Sequence, residues 1–265
     1  MTEEQPDVSI IIPAYNEAGR LPRTLEKLVT FLSTQRWLSE LVLSDDGSTD
    51  DTIGKFIRGA GGLPVTVVRS ESNRGKGHAV RLGMLTAHGK IRVMLDADGS
   101  MPAEELSKLV EPILIGSAQI VIGSRYLKGG RARGQPTWRR AWGRFTRAVV
   151  KRGVISSIED TQCGYKAFTA PVAYEIFSRS TINGWAFDLE VLSLAQYLEV
   201  PVREVSVEWT DNARSRIRAT QALSGIRQIV VDALRVRSNF RRGLYGRRGV
   251  ALPDFNCSGQ SPMQV

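Results

Sequence analysis

The chain has 265 residues, of which 42% are hydrophobic and 24% charged, and it carries a net charge of +9. These proportions exclude a disordered chain, and no run reaches the ~18–20 apolar residues needed to span a bilayer. The two cysteines, Cys163 and Cys257, are too few for a disulfide scaffold and lack metal-site spacing, which points to a reducing, cytoplasmic compartment. The start, MTEEQPD, is acidic where a signal peptide is basic.

Taken in chain order, short apolar runs at residues 8–12, 41–43, 65–68, 91–95 and 120–122 read as buried strands. Near-continuous apolar runs are expected of parallel strands covered on both faces. Between them, residues 17–32, 52–58, 76–87 and 104–114 have helical composition or periodicity. Asp50 and Asp51 suit the start of the second helix, and Pro102 with Glu104 and Glu105 suits the start of the fourth. The β-α-β-α rhythm predicts an α/β fold, with a mostly parallel sheet flanked by helices.

Beyond Arg125 the pattern changes. A Gly/Arg-rich loop at 128–135 leads to a basic helix at 138–151, a loop at 159–164, and helices at 171–177 and 187–197. Residues 202–209 alternate with period two and read as one strand. Leu223, Ile226, Val230, Ala233 and Leu234 form an apolar helical stripe flanked by Arg227, Arg235 and Arg237. The tail from Gly249 is expected to be disordered.

The charge is lopsided. Residues 1–120 hold 13 Lys/Arg against 16 Asp/Glu, and the remainder hold 23 against 11. Residues 125–152 and 214–248 carry ten basic residues each, against Asp232 alone. Such clusters call for a polyanionic partner: phosphates, an anionic lipid surface or nucleic acid. Aromatic residues make up only 7%, and no nucleic-acid-binding motif occurs, so nucleic acid is set aside.

Ligands of open α/β sheets bind beyond the carboxyl ends of the strands. Four of these ends carry polar clusters: PAYNE at 13–17, DDGSTD at 45–50, DADG at 96–99 and GSRY at 123–126. Each alone is an ordinary turn composition. All four at one sheet edge point to a site. Asp96 and Asp98 repel unless a cation lies between them, and a hard divalent ion with phosphate co-ligands fits that need. NRGKG at 73–77 precedes a helix, where glycines, a lysine and the helix N-terminus favour phosphate. It matches neither the P-loop nor the dinucleotide fingerprint.

These motifs, in this order and spacing, resemble family 2 of the inverting glycosyltransferases, which have the GT-A fold. Within it the sequence is similar to the polyisoprenyl-phosphate sugar synthases. DTQCGYKAF at 160–168, WAFDLEVL at 185–192 and VPVREVSVEW at 200–209 point to the dolichyl-phosphate β-glucosyltransferase branch. The resemblance spans residues 7–237 and implies one GT-A domain. Its nucleotide-sugar half would be 7–125 and its acceptor half 126–237, with a basic tail at 238–265.

The resemblance also implies roles. Pro13, Tyr15, Glu17, Asp45 and Asp46 would hold uridine, with Lys76 nearby. Asp98 would bind Mg2+ or Mn2+, with Asp96 assisting or touching the ribose. Arg125 would face the reacting phosphate, joined by Arg139, with Arg140 in reserve. Among the acidic residues Asp160, Asp188 and Glu190, Asp188 is taken as catalytic; such a residue would bind sugar hydroxyls or act as a base, and pairing within a helix is the plainer alternative for Asp188 and Glu190. Cys163 reads as a packing residue.

The expected donor is a UDP-sugar and the acceptor a polyprenyl phosphate, reached by peripheral contact with an anionic membrane at its cytoplasmic face. Eukaryotic glucosyl enzymes of the branch carry an N-terminal membrane helix that does not appear here. Mannosyl relatives tend to continue DAD with Leu-Gln; Gly99 and Ser100 favour glucose. A GDP-mannose-dependent synthase and a soluble nucleotide-sugar transferase with another acceptor are the alternatives. The Gln-x-x-Arg-Trp motif of processive polymer synthases is missing.

Overall fold

The computed structural model describes residues 4–133, 158–210 and 222–246. The five expected strands form as β1 (Val8–Ala14), β2 (Ser39–Asp45), β3 (Val65–Arg69), β4 (Ile91–Met94) and β5 (Ile120–Ser124). The expected helices form as α1 (Leu21–Leu32), α2 (Thr52–Gly59), α3 (Lys76–Thr86) and α4 (Leu106–Leu114), the last preceded by a 3-10 turn at Ala103–Glu105. Helix α1 starts four residues later than expected. Asn16 has φ +54°, and the Glu17 carbonyl instead closes a turn with the N–H groups of Arg20 and Leu21.

The main sheet has seven strands in the order β3-β2-β1-β4-β7-β5-β8. Strand β7 (Lys166–Thr169), absent from the sequence-based expectation, lies antiparallel between β4 and β5; every other pairing is parallel. The expected single strand at 202–209 is two strands. β8 (Val202–Ser206) closes the sheet edge beside β5, while β9 (Glu208–Thr210) leaves it to pair with β6 (Arg131–Arg133). The change of sheet falls at Val207, which is wholly buried in the core.

Alternation along β1 splits the core into two layers. Ile11 faces a cluster with Val80 and Met84 of α3, while Ile10 and Ile12 face a second cluster with Leu25 of α1, Phe56 of α2 and Leu109 of α4. Helices α5 (Ala170–Arg179) and α6 (Phe187–Tyr197) complete the first layer with Val172, Ile176, Leu189 and Leu192. The apolar side chains of α1 recur at Leu21, Leu25, Leu28 and Leu32, all buried.

Helix α7 (Ala222–Arg241) confirms the expected C-terminal helix but corrects its phase. Val236 and Asn239 are buried, whereas Leu234 is 61% exposed. The helix also runs past the expected boundary at 237. The chain turns on to Gly246, and Tyr245 is buried. The expected basic helix at 138–151, with Arg139 and Arg140, and the tail from Gly249 lie outside the described residues, as do the side chains of Leu223, Ile226 and Val230.

Candidate active site

The polar clusters at the C-terminal ends of β1 and β2 are stitched to one another. Pro13 and Ala14 end β1 opposite Ser44 and Asp45, and the Asp46 N–H donates to the Ala14 carbonyl at 2.8 Å. Asn16 adopts the left-handed conformation that Asn tolerates. Its N–H donates to Ser48 Oγ at 2.8 Å, and its Oδ1 accepts from Thr49 N–H at 2.7 Å. Glu17 N–H donates to Thr52 Oγ1 at 2.8 Å, and the Glu17 carboxylate is gripped by Arg20. Tyr15 is half-buried in the same turn.

Asp45 and Asp46 are both buried. Asp45 accepts from Ser48 N–H at 3.1 Å and pairs with Arg69 Nε at 3.3 Å. Asp46 accepts from Arg74 N–H at 3.0 Å and Gly75 N–H at 2.8 Å. Both carboxylates thus brace the loops that frame the site. Gly75, at φ +108°, has no room for a side chain: a Cβ there would lie 2.5 Å from the Asn183 carbonyl oxygen.

The N-terminus of α3 departs from the sequence expectation. Gly77 and His78 N–H both donate to the Asn183 carbonyl, at 2.7 and 3.2 Å, and Arg81 reaches Ser180 O and Asn183 Oδ1 at 3.1 and 2.9 Å. The backbone donors expected to cradle phosphate are therefore used by the 180–184 loop. What the NRGKG segment presents is the Lys76 side chain.

Lys76 joins a compact group of charges. Its Nζ lies 2.6 Å from Asp96 Oδ1 and 5.1 Å from the ring centroid of Trp185, itself 61% exposed. Asp98 Oδ1 accepts from Ser100 N–H at 2.9 Å. Lys166, 1% exposed, donates to Asp188 Oδ1 at 2.7 Å and to the Cys163 carbonyl at 2.5 Å. Arg125 forms a two-pronged pair with Asp160 through Nε at 2.7 Å and Nη2 at 2.9 Å, and its N–H donates to the same carboxylate at 3.0 Å. Glu204 holds the backbone N–H groups of Glu159 and Asp160, and the Arg125 guanidinium lies 5.6 Å from the rings of both Tyr126 and Trp209.

The electrostatics follow from this enclosure. Burial works to raise the Asp96 pKa, but Lys76, then Lys166 and Arg125, outweigh it and hold the carboxyl below its ordinary value. Burial likewise opposes ionisation of Asp160, and Arg125 prevails. For Asp188 burial wins: its pKa is raised despite Lys166 and Lys76. Burial would lower the Lys76 pKa, yet Asp96, Asp188 and Asp98 raise it. The Cys163 thiol is buried and pushed up to about 12, which makes it inert, in keeping with a packing residue.

The motifs at 13–17, 45–50, 73–77, 96–99 and 123–126 thus meet at one edge, as expected. Glu190 is placed elsewhere: wholly buried, it accepts from Thr181 and Ile182 N–H and from Tyr245 OH at 2.7 Å, bracing the 180–184 loop. Of the contributors not foreseen, Asn183 supplies the acceptor for α3. Lys166 supplies a buried cation, and Gly164 a close approach to Asp96. The signals available for Lys166 were its place in DTQCGYKAF and a lysine at the head of an apolar Ala-Phe run.

A family model described as glycosyl transferase family 2 matches residues 9–176. A dolichyl-phosphate beta-glucosyltransferase of Dictyostelium discoideum is 33% identical over 258 residues, covering 90% of this chain and 76% of that protein. The Drosophila melanogaster protein of that name is 35% identical, covering 80% and 69%, and the Saccharomyces cerevisiae protein 31%, covering 92% and 78%. Among solved structures, glucosyl-3-phosphoglycerate synthase from Mycobacterium tuberculosis, in complex with Mn2+, UDP-glucose and phosphoglyceric acid, superposes with a TM-score of 0.66. It covers 88% of this chain and 80% of that one at 19% identity, a likeness of fold.

Proposed function

The chain belongs to glycosyl transferase family 2, and from that membership we propose that it transfers glucose from UDP-glucose to a polyprenyl phosphate of the dolichyl type, with inversion. The observation that carries this reading is the Lys76–Asp96 pair, which joins the NRGKG loop to the DAD turn inside a cluster of alternating charges. The names of the relatives at 30–35% identity supply the donor sugar and the acceptor class.

Asp96 and Asp98 offer hard oxygen donors two residues apart, and no group of three potential ligands gathers among the described residues. That set fits an ion such as Mg2+ or Mn2+, which takes one or two carboxylates and completes its shell with phosphate oxygens. Bound there, the ion would offset charge on the departing diphosphate. Lys76 adds a second positive group on the same side. The acceptor phosphate attacks the anomeric carbon from the face opposite UDP, the bond to the diphosphate breaks, and UDP leaves. A phosphate is already ionised near neutral pH, so positioning dominates the catalysis. Asp160 fixes Arg125 by two of its nitrogens, and we assign the Nη1 edge to the acceptor phosphate. Arg139 would join it. Asp188 accepts from hydroxyls of the sugar. Pro13, Tyr15, Glu17, Asp45 and Asp46 shape the uridine side.

No described helix is long and apolar enough to cross a membrane. Access to the lipid is assigned to α7, whose outer face carries exposed Val231, Leu234, Arg235 and Arg241, continued by Arg242 and Leu244. Apolar tips among arginines suit the anionic cytoplasmic leaflet. The test is transfer of labelled glucose from UDP-glucose into organic-extractable product, with and without a short polyprenyl phosphate. Lipid-dependent product that disappears in Asp98→Ala supports the proposal. UDP release without lipid would point to a water-soluble acceptor, and turnover of GDP-mannose alone to a mannose synthase.

A further inference from the structure

Lys166 opens β7, the antiparallel strand between β4 and β5. Register places it beside Met94 and Ile122, two residues before Asp96 on one side and three before Arg125 on the other. An antiparallel strand begins where its parallel neighbours end, so the first residue of β7 belongs to the site edge. Its side chain is among the largest fully buried ones in the protein. A lysine so enclosed is rare unless paired, and here it is paired with Asp188 and capped by the Cys163 carbonyl. An apolar pair of similar volume generally supports a fold as well as a buried ion pair. The fold alone therefore does not require these charges. Asp188 lies in the first turn of α6, directly after Phe187, and the Phe187 and Trp185 rings flank Lys76. Lys166 thus holds the Asp188 carboxylate from the sheet, while Lys76, beside Phe187 and Trp185, adds positive charge in its neighbourhood from the nucleotide-side loop.

We propose that Lys166 is a positioning residue for glucosyl transfer, which grips Asp188 from the sheet and aims its second oxygen at the sugar of the donor. This rests on the function proposed above. Lys166 acts through Asp188 and does not touch substrate. It is therefore silent once Asp188 can no longer play its part.

The test is a kinetic cycle of Lys166→Met, Asp188→Asn and the double variant, assayed for lipid-dependent transfer. Lys166→Met is expected to lower kcat at least thirtyfold, with the KM for UDP-glucose changed less than threefold. In the Asp188→Asn background the same substitution is expected to cost less than threefold. Lys166→Arg, which keeps a cation and a donor for the oxygen that Lys166 holds, should recover at least a third of the wild-type kcat. Should Lys166→Met not fold, Lys166→Gln, which keeps donors without charge, supplies that arm. Equal losses in both backgrounds, or a folded variant with wild-type kcat, would overturn the inference. A wild-type protein without lipid-dependent turnover would instead overturn the functional reading, a result distinguishable from either.

Discussion

Replacing Gly164 with alanine puts a methyl group where the Asp96 carboxylate now lies. A Cβ at Gly164 would be 2.2 Å from Asp96 Oδ2 and 2.7 Å from its Cγ, whereas ordinary contact begins at 3.4 Å. The carboxylate must therefore retreat by about 1.2 Å, or β7 must shift away from β4 by a similar amount. Asp96 has little freedom to yield, because its other oxygen is held by Lys76 at 2.6 Å. Overpacking of this kind costs about 1–3 kcal/mol of stability. A displacement of about 1 Å in a catalytic array costs on the order of 100-fold in rate. Gly164→Ala is expected to fold, to lose stability within that range in urea titration, and to lose about 100-fold in kcat/KM for UDP-glucose in the lipid-extraction assay. A folded variant with kcat/KM within threefold of wild type would show that the position of Asp96 is not what the site depends on.

Asp46→Asn should turn an amide against one of the two N–H groups that the carboxylate now accepts, costing about 1–3 kcal/mol in urea titration. The kinetic effect should appear as a higher KM for UDP-glucose, because the NRGKG loop loses its brace. The depressed pKa of Asp160 contributes stability that is present above the unfolded carboxylate value of about 4 and lost as pH falls below it. Asp160→Asn should therefore lower the urea midpoint at pH 7 and flatten its decline between pH 5 and pH 3, whereas a decline parallel to wild type would contradict the pairing. The protein should pellet with anionic vesicles at low salt and release at high salt. Reversing Arg235, Arg241 and Arg242 to glutamate should reduce the bound fraction at least tenfold with an unchanged melting temperature, at ~1 kcal/mol per basic residue. Equal pelleting of that variant would remove α7 from the membrane contact.

Much of the architecture was legible because it is written locally. The strands β1, β2, β4 and β5 are apolar runs that no other element explains, and α6 keeps the residues expected of it, Phe187–Tyr197. The strand β7 was not legible: four residues beginning with a lysine show no pattern, and its place is fixed only by register with Met94 and Ile122. The alternation at 202–209 continues through the change of sheet, so the sequence carries no mark of the break at Val207. Leu234 fits an apolar stripe drawn with its neighbours, but burial of Val236 and Asn239 turns it outward. At the site, the motifs and their meeting at one edge were readable. Pairings across long separations were not. Arg125 and Asp160 are 35 residues apart, and the Asn183 carbonyl that occupies the start of α3 comes from over a hundred residues downstream.

The antiparallel insertion of β7 has a consequence for how such a chain can diversify. Strand β5 leaves the sheet at the site edge and β7 re-enters at that same edge, so the stretch from Arg125 to Tyr165 is an excursion with both feet on one shore. A change in the length of chain between those feet does not by itself displace the β1, β2 and α3 ends. Arg125 and Lys166 stand at the two feet of the excursion, and within it Asp160, which holds Arg125, and Gly164, which lies against Asp96, must stay in place as well.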